Sequence, residues 1–186
     1  PAEVKNGKIL NIFGNSPSGV FNSMNVTNIS ASMELGHISN NAISTCVVHN
    51  CAFYAIILDM NTQSFIYYGS STAIKNVDIY LEAYGCNSSS TCQVLRPSGT
   101  VTIDSVRVIG KAVPANKSSP TDFKISSQKL YNSVIDFDMS EFVYPEGTTG
   151  TTNILAGNGD NTTVINASKI NVSGYQRYTI PSGYLQ

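Results

Sequence analysis

The residue types that favour extended backbone most constrain what this chain can fold into. Val, Ile, Thr, Tyr and Phe account for 65 of its 186 residues, whereas the helix-favouring Ala, Leu, Met, Glu, Gln, Lys and Arg account for 44. β-branched and aromatic side chains fit a pleated surface, and the second group favours helices. The chain is therefore predicted to be all-β.

Alternating apolar residues place the strands along the chain. The clearest case is Val77 to Ala83, where every second residue is apolar, which indicates a strand with one buried face. The alternation changes parity near Asp104-Ser105, which predicts a β-bulge there. About ten short strands at regular spacing favour a β-sandwich or jelly roll. A parallel β-helix is the alternative, but its turns would require an internal repeat, and none is convincing.

The N-terminal segment is predicted to be a strand followed by a flexible linker. An apolar run follows the turn signal Asn6-Gly7 and ends at a Gly/Ser/Pro-rich block over residues 14–19. We therefore predict a strand and linker over residues 1–18 and a β-sandwich domain over residues 19–186. Such a strand folds back into its own sheet or completes the sheet of a neighbouring subunit. The residues expected to fill a neighbour's groove are Val4, Ile9, Leu10, Ile12 and Phe13.

The surface composition excludes several classes of partner. Charged residues make up 12% of the chain and the net charge is −1, while Ser, Thr and Asn together make up almost a third of it. A nucleic-acid-binding protein needs a basic face, which this chain lacks. The charge-free run over residues 9–33 contains too many Asn and Ser residues for membrane insertion.

No catalytic constellation stands out. His37 and His49 have no nucleophile motif beside them, and a lone histidine is usually a surface or core residue. Asp136 and Asp138 share one strand face, where carboxylates act on sugars, bind calcium or simply face solvent. Solvent exposure is the expected role. The chain is accordingly predicted not to be an enzyme and to hold no metal or cofactor.

Four cysteines form two close pairs, Cys46 with Cys51 and Cys86 with Cys92. Four cysteines allow three disulfide connectivities, of which the local pairing is the simplest. Zinc is the alternative, with His49 inside the first pair, but zinc knuckles usually separate their cysteines by two residues. Disulfides are preferred, and they indicate an oxidising compartment.

Asparagine triplets of the form Asn-x-Ser/Thr also indicate an exported protein. Such triplets accept N-linked glycans in exported proteins, although their number is only a mild excess over chance for this composition. Together with the paired cysteines they favour an extracellular, cell-surface location. The candidate glycosylation sites are Asn25, Asn28, Asn87, Asn116, Asn161, Asn166 and Asn171.

A strand-like N-terminus, a charge-poor Ser/Thr/Asn-rich β-domain, close cysteine pairs and glycosylation triplets together resemble one kind of protein. The chain is similar to extracellular filament subunits joined by donor-strand complementation. Bacterial chaperone–usher pilins are one form, and the glycosylated thread filaments of archaea are closer in composition. The resemblance implies an adhesive homopolymer in which each subunit donates its N-terminal strand to the next, so that the contact never closes.

The expected function is therefore that of a structural subunit of a glycosylated extracellular filament. Its expected partners are identical subunits and N-linked glycans, without nucleic acid or membrane insertion. Two alternatives remain at this stage. One is a receptor-binding β-module of a phage or virus tail fibre, and the other is a secreted carbohydrate-binding domain.

Overall fold

The fold is all-β. A computed structural model describes residues 2–15, 19–61, 64–68, 74–87, 92–97, 103–117, 123–126, 130–142, 165–166 and 169–173, and no helix occurs in these ranges. The prediction of an all-β chain is confirmed. The strands are β1 (Ala2–Gly14), β2 (Phe21–Ile38), β3 (Ile43–Met60), β4 (Ile66–Tyr68), β5 (Ile74–Cys86), β6 (Cys92–Pro97), β7 (Ile103–Pro114), β8 (Phe123–Ser126), β9 (Leu130–Tyr131), β10 (Val134–Asp138), β11 (Ile165–Asn166) and β12 (Lys169–Ser173).

Every described strand pairing is parallel, and the strands wind into a solenoid of about four turns. The longest stack runs in the order β1, β2, β3, β5, β7, β10 and β12. A second stack on another face joins β3 to β4, β6 and β8. The predicted sandwich or jelly roll is therefore wrong, and the parallel β-helix is the correct alternative. Parallel neighbours need a long return connection, which each turn of the solenoid supplies.

The unequal turn lengths explain why the sequence did not reveal the repeat. Phe21 pairs with Ile43, Val48 with Ile74, and Ile74 with Ile103, so the stretch of chain between stacked partners differs among the turns. Loops of unequal length separate strands that stack in register, so no fixed period runs through the chain. Short alternating strands look the same in a sandwich and in a solenoid.

Inward-facing side chains stack in columns along the axis. One column contains Ala31, Phe53, Ile79, Val108 and Ile135, which the parallel registers align and which are all at most 1% exposed. Burying an aliphatic or aromatic side chain contributes roughly 1.5–3 kcal/mol, so such columns dominate the stability of the fold. The core is thus a dry interior shared by successive turns.

The strand patterns read from the sequence match the burial in the structure. β5 buries Val77, Ile79, Leu81 and Ala83, as their alternation predicts. The parity change near Ser105 has a different cause from the predicted bulge. Ser105 has a φ of 56° and lies between two uninterrupted register pairs, so it forms a corner of the solenoid.

The N-terminal strand belongs to the same solenoid. β1 pairs with β2 over Ala2 to Gly14, and Val4, Ile9 and Ile12 pack against the shared core. Of the two fates open to this strand, the structure has it in its own sheet. Most of the predicted linker, residues 16–18, lies outside the described residues.

Candidate functional site

β1 is the first described strand of the long stack. Its inward-facing Val4, Ile9 and Ile12 are only partly buried, whereas the equivalent residues one turn later, such as Val26, are at most 4% exposed. Leu10 is 63% exposed. Among the described strands β1 pairs only with β2, so its other edge presents backbone N–H and C=O groups without a strand partner.

A register shift divides this edge. Ile9 pairs with Ala31 and Ile12 with Met33, so two residues of β1 lie opposite one residue of β2. Asn11, one of the two, has a φ of 59°. The part of the edge without a register shift is therefore the stretch from Ala2 to Ile9, which turns at Asn6, where φ is 58°.

A column of asparagines marks one corner of the solenoid. Asn6, Asn28, Asn50 and Asn76 have φ angles between 54° and 58°, a left-handed conformation that asparagine adopts more readily than most residues. Asn28 Nδ2 donates to Asn6 Oδ1 at 2.8 Å, Asn50 Nδ2 to Asn28 Oδ1 at 3.1 Å, and Asn76 Nδ2 to Asn50 Oδ1 at 2.9 Å. Each amide thus satisfies its neighbour and holds adjacent turns in register.

The corner continues with different residues in later turns. Ser105 and Asn132 also have positive φ angles, and Asn132 Nδ2 donates to Asp104 Oδ1 at 2.9 Å. This hydrogen bond is the main reason that the pKa of Asp104 is lowered, with a second contribution from the Ser105 hydroxyl. Ser105 therefore lies at the column position in this turn, and the carboxylate of the preceding Asp104 accepts the hydrogen bond from Asn132.

A groove of about 450 Å³ crosses the outer face of the solenoid over β1, β2, β3, β5 and β7. Tyr54 on β3 and Tyr80 on β5 form its floor, with ring centroids 4.7 Å apart and planes inclined by 1°. The spacing equals the distance between neighbouring strands, because the two tyrosines are register partners. Phe13, which is 67% exposed, and Glu34 form one end of the groove.

The opposite end of the groove carries a small charge network. Tyr84 donates its hydroxyl proton to Glu82 Oε2 at 2.6 Å, and Lys111 Nζ lies 3.2 Å from the same oxygen. The hydrogen bonds from Tyr84 and then Lys111 lower the pKa of Glu82, and the hydrogen bonds with Tyr84 and then Glu82 raise the pKa of Lys111. Glu82 is thus held ionised, while Glu34 makes no ion pair among the described residues.

The first predicted disulfide joins two positions of one strand. Cys46 and Cys51 both lie in β3, with a register shift at Cys46 and the corner at Asn50 between them. The pairing of these two cysteines stays a prediction. Cys51 is buried and its Sγ lies 3.2 Å from the His49 carbonyl oxygen, and burial raises the pKa of its thiol.

Cys86 and Cys92 come close together in the core. Cys86 ends β5 and Cys92 begins β6, and both side chains are buried. Burial raises the pKa of the Cys86 thiol, and the nearby Cys92 adds to the shift through charge repulsion. Cys51, Cys86 and Cys92 form no disulfide in this structure. The pairing of Cys86 with Cys92 stays a prediction.

The candidate glycosylation sites fall in different environments. Asn87 and Asn116 are exposed, as an acceptor must be. Asn28 is a member of the asparagine column, and the Oδ1 of Asn25 is buried. A glycan on Asn28 would compete with the hydrogen bond that its Nδ2 donates to Asn6, and both sites stay predictions. The side chains of Asn161, Asn166 and Asn171 lie outside the described residues.

The remaining candidates stay apart from the groove. Asp136 and Asp138 are exposed on β10, as the alternation of that strand predicts. His37 Nδ1 lies 2.6 Å from Asp59 Oδ2 at the surface. In the described ranges no three His, Cys, Asp or Glu residues form a group that could hold a metal ion. Those ranges also contain no helix of the length and apolarity that crossing a membrane requires.

Sequence reasoning missed the asparagine column and the groove. The column had a signal, since Asn6, Asn28 and Asn50 recur at equal intervals and Asn76 follows after a slightly longer one. The groove had none, because Phe13, Glu34 and Tyr54 come together only through the stacking of turns.

The fold and the site define the chain as a parallel β-solenoid with an open first turn and a grooved outer face. Comparison with models of known families, with curated proteins and with solved structures finds no match.

Proposed function

We propose that the chain is a structural subunit of an extracellular filament and that copies join end to end at the β1 edge. The observation that carries the proposal is the incomplete burial of this first turn. Its inward-facing apolar side chains are half covered, whereas their counterparts in the next turn are buried. A surface of this kind is stabilised by another layer of strands.

The join differs from simple strand donation. Because β1 pairs with β2 of its own chain, it offers an edge for a neighbour to extend and does not leave its own sheet. The partner is a second copy, which would present the far end of its solenoid. There the outermost described strand of the long stack is β12. A contact between two different ends does not close on itself and so produces a filament.

The asparagine column gives the join a direction. Each described amide donates towards the N-terminal end of the solenoid, from Asn76 to Asn50, then to Asn28, then to Asn6. Asn6 Nδ2 therefore points towards the open edge and has no acceptor among the described residues. A neighbour that places a side-chain oxygen opposite Asn6 would extend the column across the join. The solvated surface of hydroxyls and amides, and exposed glycan acceptors at Asn87 and Asn116, suit an extracellular location.

The test compares two exposed leucines. Leu10→Lys places a charge on the open edge strand, whereas Leu58→Lys places one at a 53% exposed position on β3, inside the stack. Light scattering after size exclusion and negative-stain imaging should show filaments for the wild type and for Leu58→Lys, and monomers for Leu10→Lys. Thermal unfolding of the two variants checks that both are folded. A wild type that stays monomeric at high concentration, or two variants that assemble equally, would overturn the proposal.

A further inference from the structure

The groove on the outer face has the chemistry of a ligand site that the filament proposal does not use. Its volume of about 450 Å³ lies within the range of roughly 300–1,000 Å³ that is typical of small-molecule sites. It combines apolar surface with a few polar groups, and it lies on rigid parallel strands. Five strands contribute to it, so its shape depends on the register of the solenoid.

One ring face in the groove is open. Tyr80 stacks against one face of Tyr54, and the register partner on the other side is Ser32. A serine side chain is too short to cover an aromatic ring, and Tyr54 is 47% exposed. Ile56, which is 41% exposed, extends the apolar surface beside it. The stacking on Tyr80 fixes the orientation of this ring, so a flat apolar platform already exists before any ligand binds.

Polar groups surround this platform. Ser32 Oγ accepts a hydrogen bond from the Asn11 backbone N–H at 3.1 Å, which leaves its hydroxyl proton available for donation. Glu34, the next residue along β2 on the same face, supplies carboxylate acceptors at the rim. Glu82 is occupied by Tyr84 and Lys111, so Glu34 is the carboxylate available to a ligand.

We propose that this groove binds a neutral saccharide. One pyranose ring lies with its C–H face on the open face of Tyr54, and its hydroxyls hydrogen-bond to Glu34 and Ser32. A sugar matches this surface because it presents an apolar face and a polar edge together. The two glutamates disfavour an anionic sugar, and β2, β3 and β5 beneath the groove are paired with strands on both sides, so they offer a peptide strand no free backbone edge.

The test uses neutral oligosaccharides as probes. The wild-type protein is titrated with cello-, malto-, manno-, galacto- and N-acetylchito-oligosaccharides by calorimetry, with saturation-transfer NMR as a second readout. Tyr54→Ala should weaken binding of the sugar that binds by about tenfold, because the stacking contact is lost together with the hydroxyl contacts that it positions. Glu34→Gln should weaken binding to a smaller extent. Tyr67→Ala, on β4 and outside the groove, is the matched control and should bind like the wild type.

Three results would overturn this assignment. They are the absence of binding by every sugar of the panel, equal affinity of Tyr54→Ala and the wild type, and concentration-dependent self-association that is lost in Tyr54→Ala. Repeating the titration with Leu10→Lys keeps the test separate from the filament proposal. Sugar binding by a monomeric Leu10→Lys protein supports the groove whether or not the wild type forms filaments.

Discussion

Asparagine has two separate roles at the corner of each early turn. It adopts a left-handed backbone conformation, and its amide bonds to the turn on either side. Few side chains can do both, since most L-residues lose roughly 1–2 kcal/mol in that conformation. The high asparagine content of the sequence suggested turns and glycan sites, and part of it instead holds neighbouring turns of the solenoid in register.

Asn50→Ala tests both roles at once. It removes the amide contacts to Asn28 and Asn76 and places a Cβ-bearing residue in the left-handed region, so we expect a loss of about 2–4 kcal/mol in the free energy of unfolding. Asn50→Gly keeps the backbone conformation accessible and should lose only about 1–2 kcal/mol. Urea unfolding measures both values. Asn61→Ala, exposed and outside the column, is the control, and a loss as large as that of Asn50→Ala would contradict this account.

At the scale of elements, the sequence predicted strands well and their pairing poorly. The alternation over Val77 to Ala83 predicted the buried face of β5 correctly, because successive side chains point to opposite faces of a strand in every kind of β-protein. Pairing depends on loops of varying length, and a sandwich and a solenoid place the same side chains inside. The donor-strand residues were likewise read as a separate segment, although Val4, Ile9 and Ile12 follow the inward pattern of the next turn. The groove could not be predicted either, because its residues come together only when the strands pair.

Gly110 shows how closely two stacked strands approach. It lies between Leu81 and Phe137 in register, has a φ of 146°, and a Cβ there would overlap the Leu81 carbonyl oxygen. Gly110→Ala should therefore destabilise the fold by about 2–4 kcal/mol in urea unfolding. In Gly7→Ala the new Cβ meets only Ile29 Cδ1 at 3.6 Å, so that variant should be neutral or slightly stabilised. Equal losses in the two variants would contradict the close approach inferred at Gly110.

At the scale of the whole molecule, the solenoid is nearly one-dimensional. Among the described strands, each turn mainly contacts the turns before and after it, so stability is approximately a sum over neighbouring layers. β1 has one described strand neighbour instead of two, and its interior residues are the least buried among the long-stack strands whose side chains the structure describes. The first turn should therefore unfold locally while the rest of the molecule stays folded.

Hydrogen exchange measures this difference directly. In the monomeric Leu10→Lys protein, the amides of β1 should exchange at least about tenfold faster than those of β3 and β5, because opening the end turn breaks one layer of contacts. In wild-type filaments the β1 amides should gain protection. Uniform protection across β1, β3 and β5 in the monomer would show that the solenoid opens as one unit.

The equal spacing of the first turns has a consequence for how such a chain changes over generations. Ala2 pairs with Met24 and Phe21 with Ile43, and the two pairs have the same separation along the chain. If a segment of that length is deleted from the chain or duplicated in it, the new junction brings an asparagine corner to the place that the equivalent corner of another turn held before. The inward and outward faces are preserved by the same event. Recombination can thus lengthen or shorten this end of the molecule by whole turns, while a change of any other length must be absorbed in a loop.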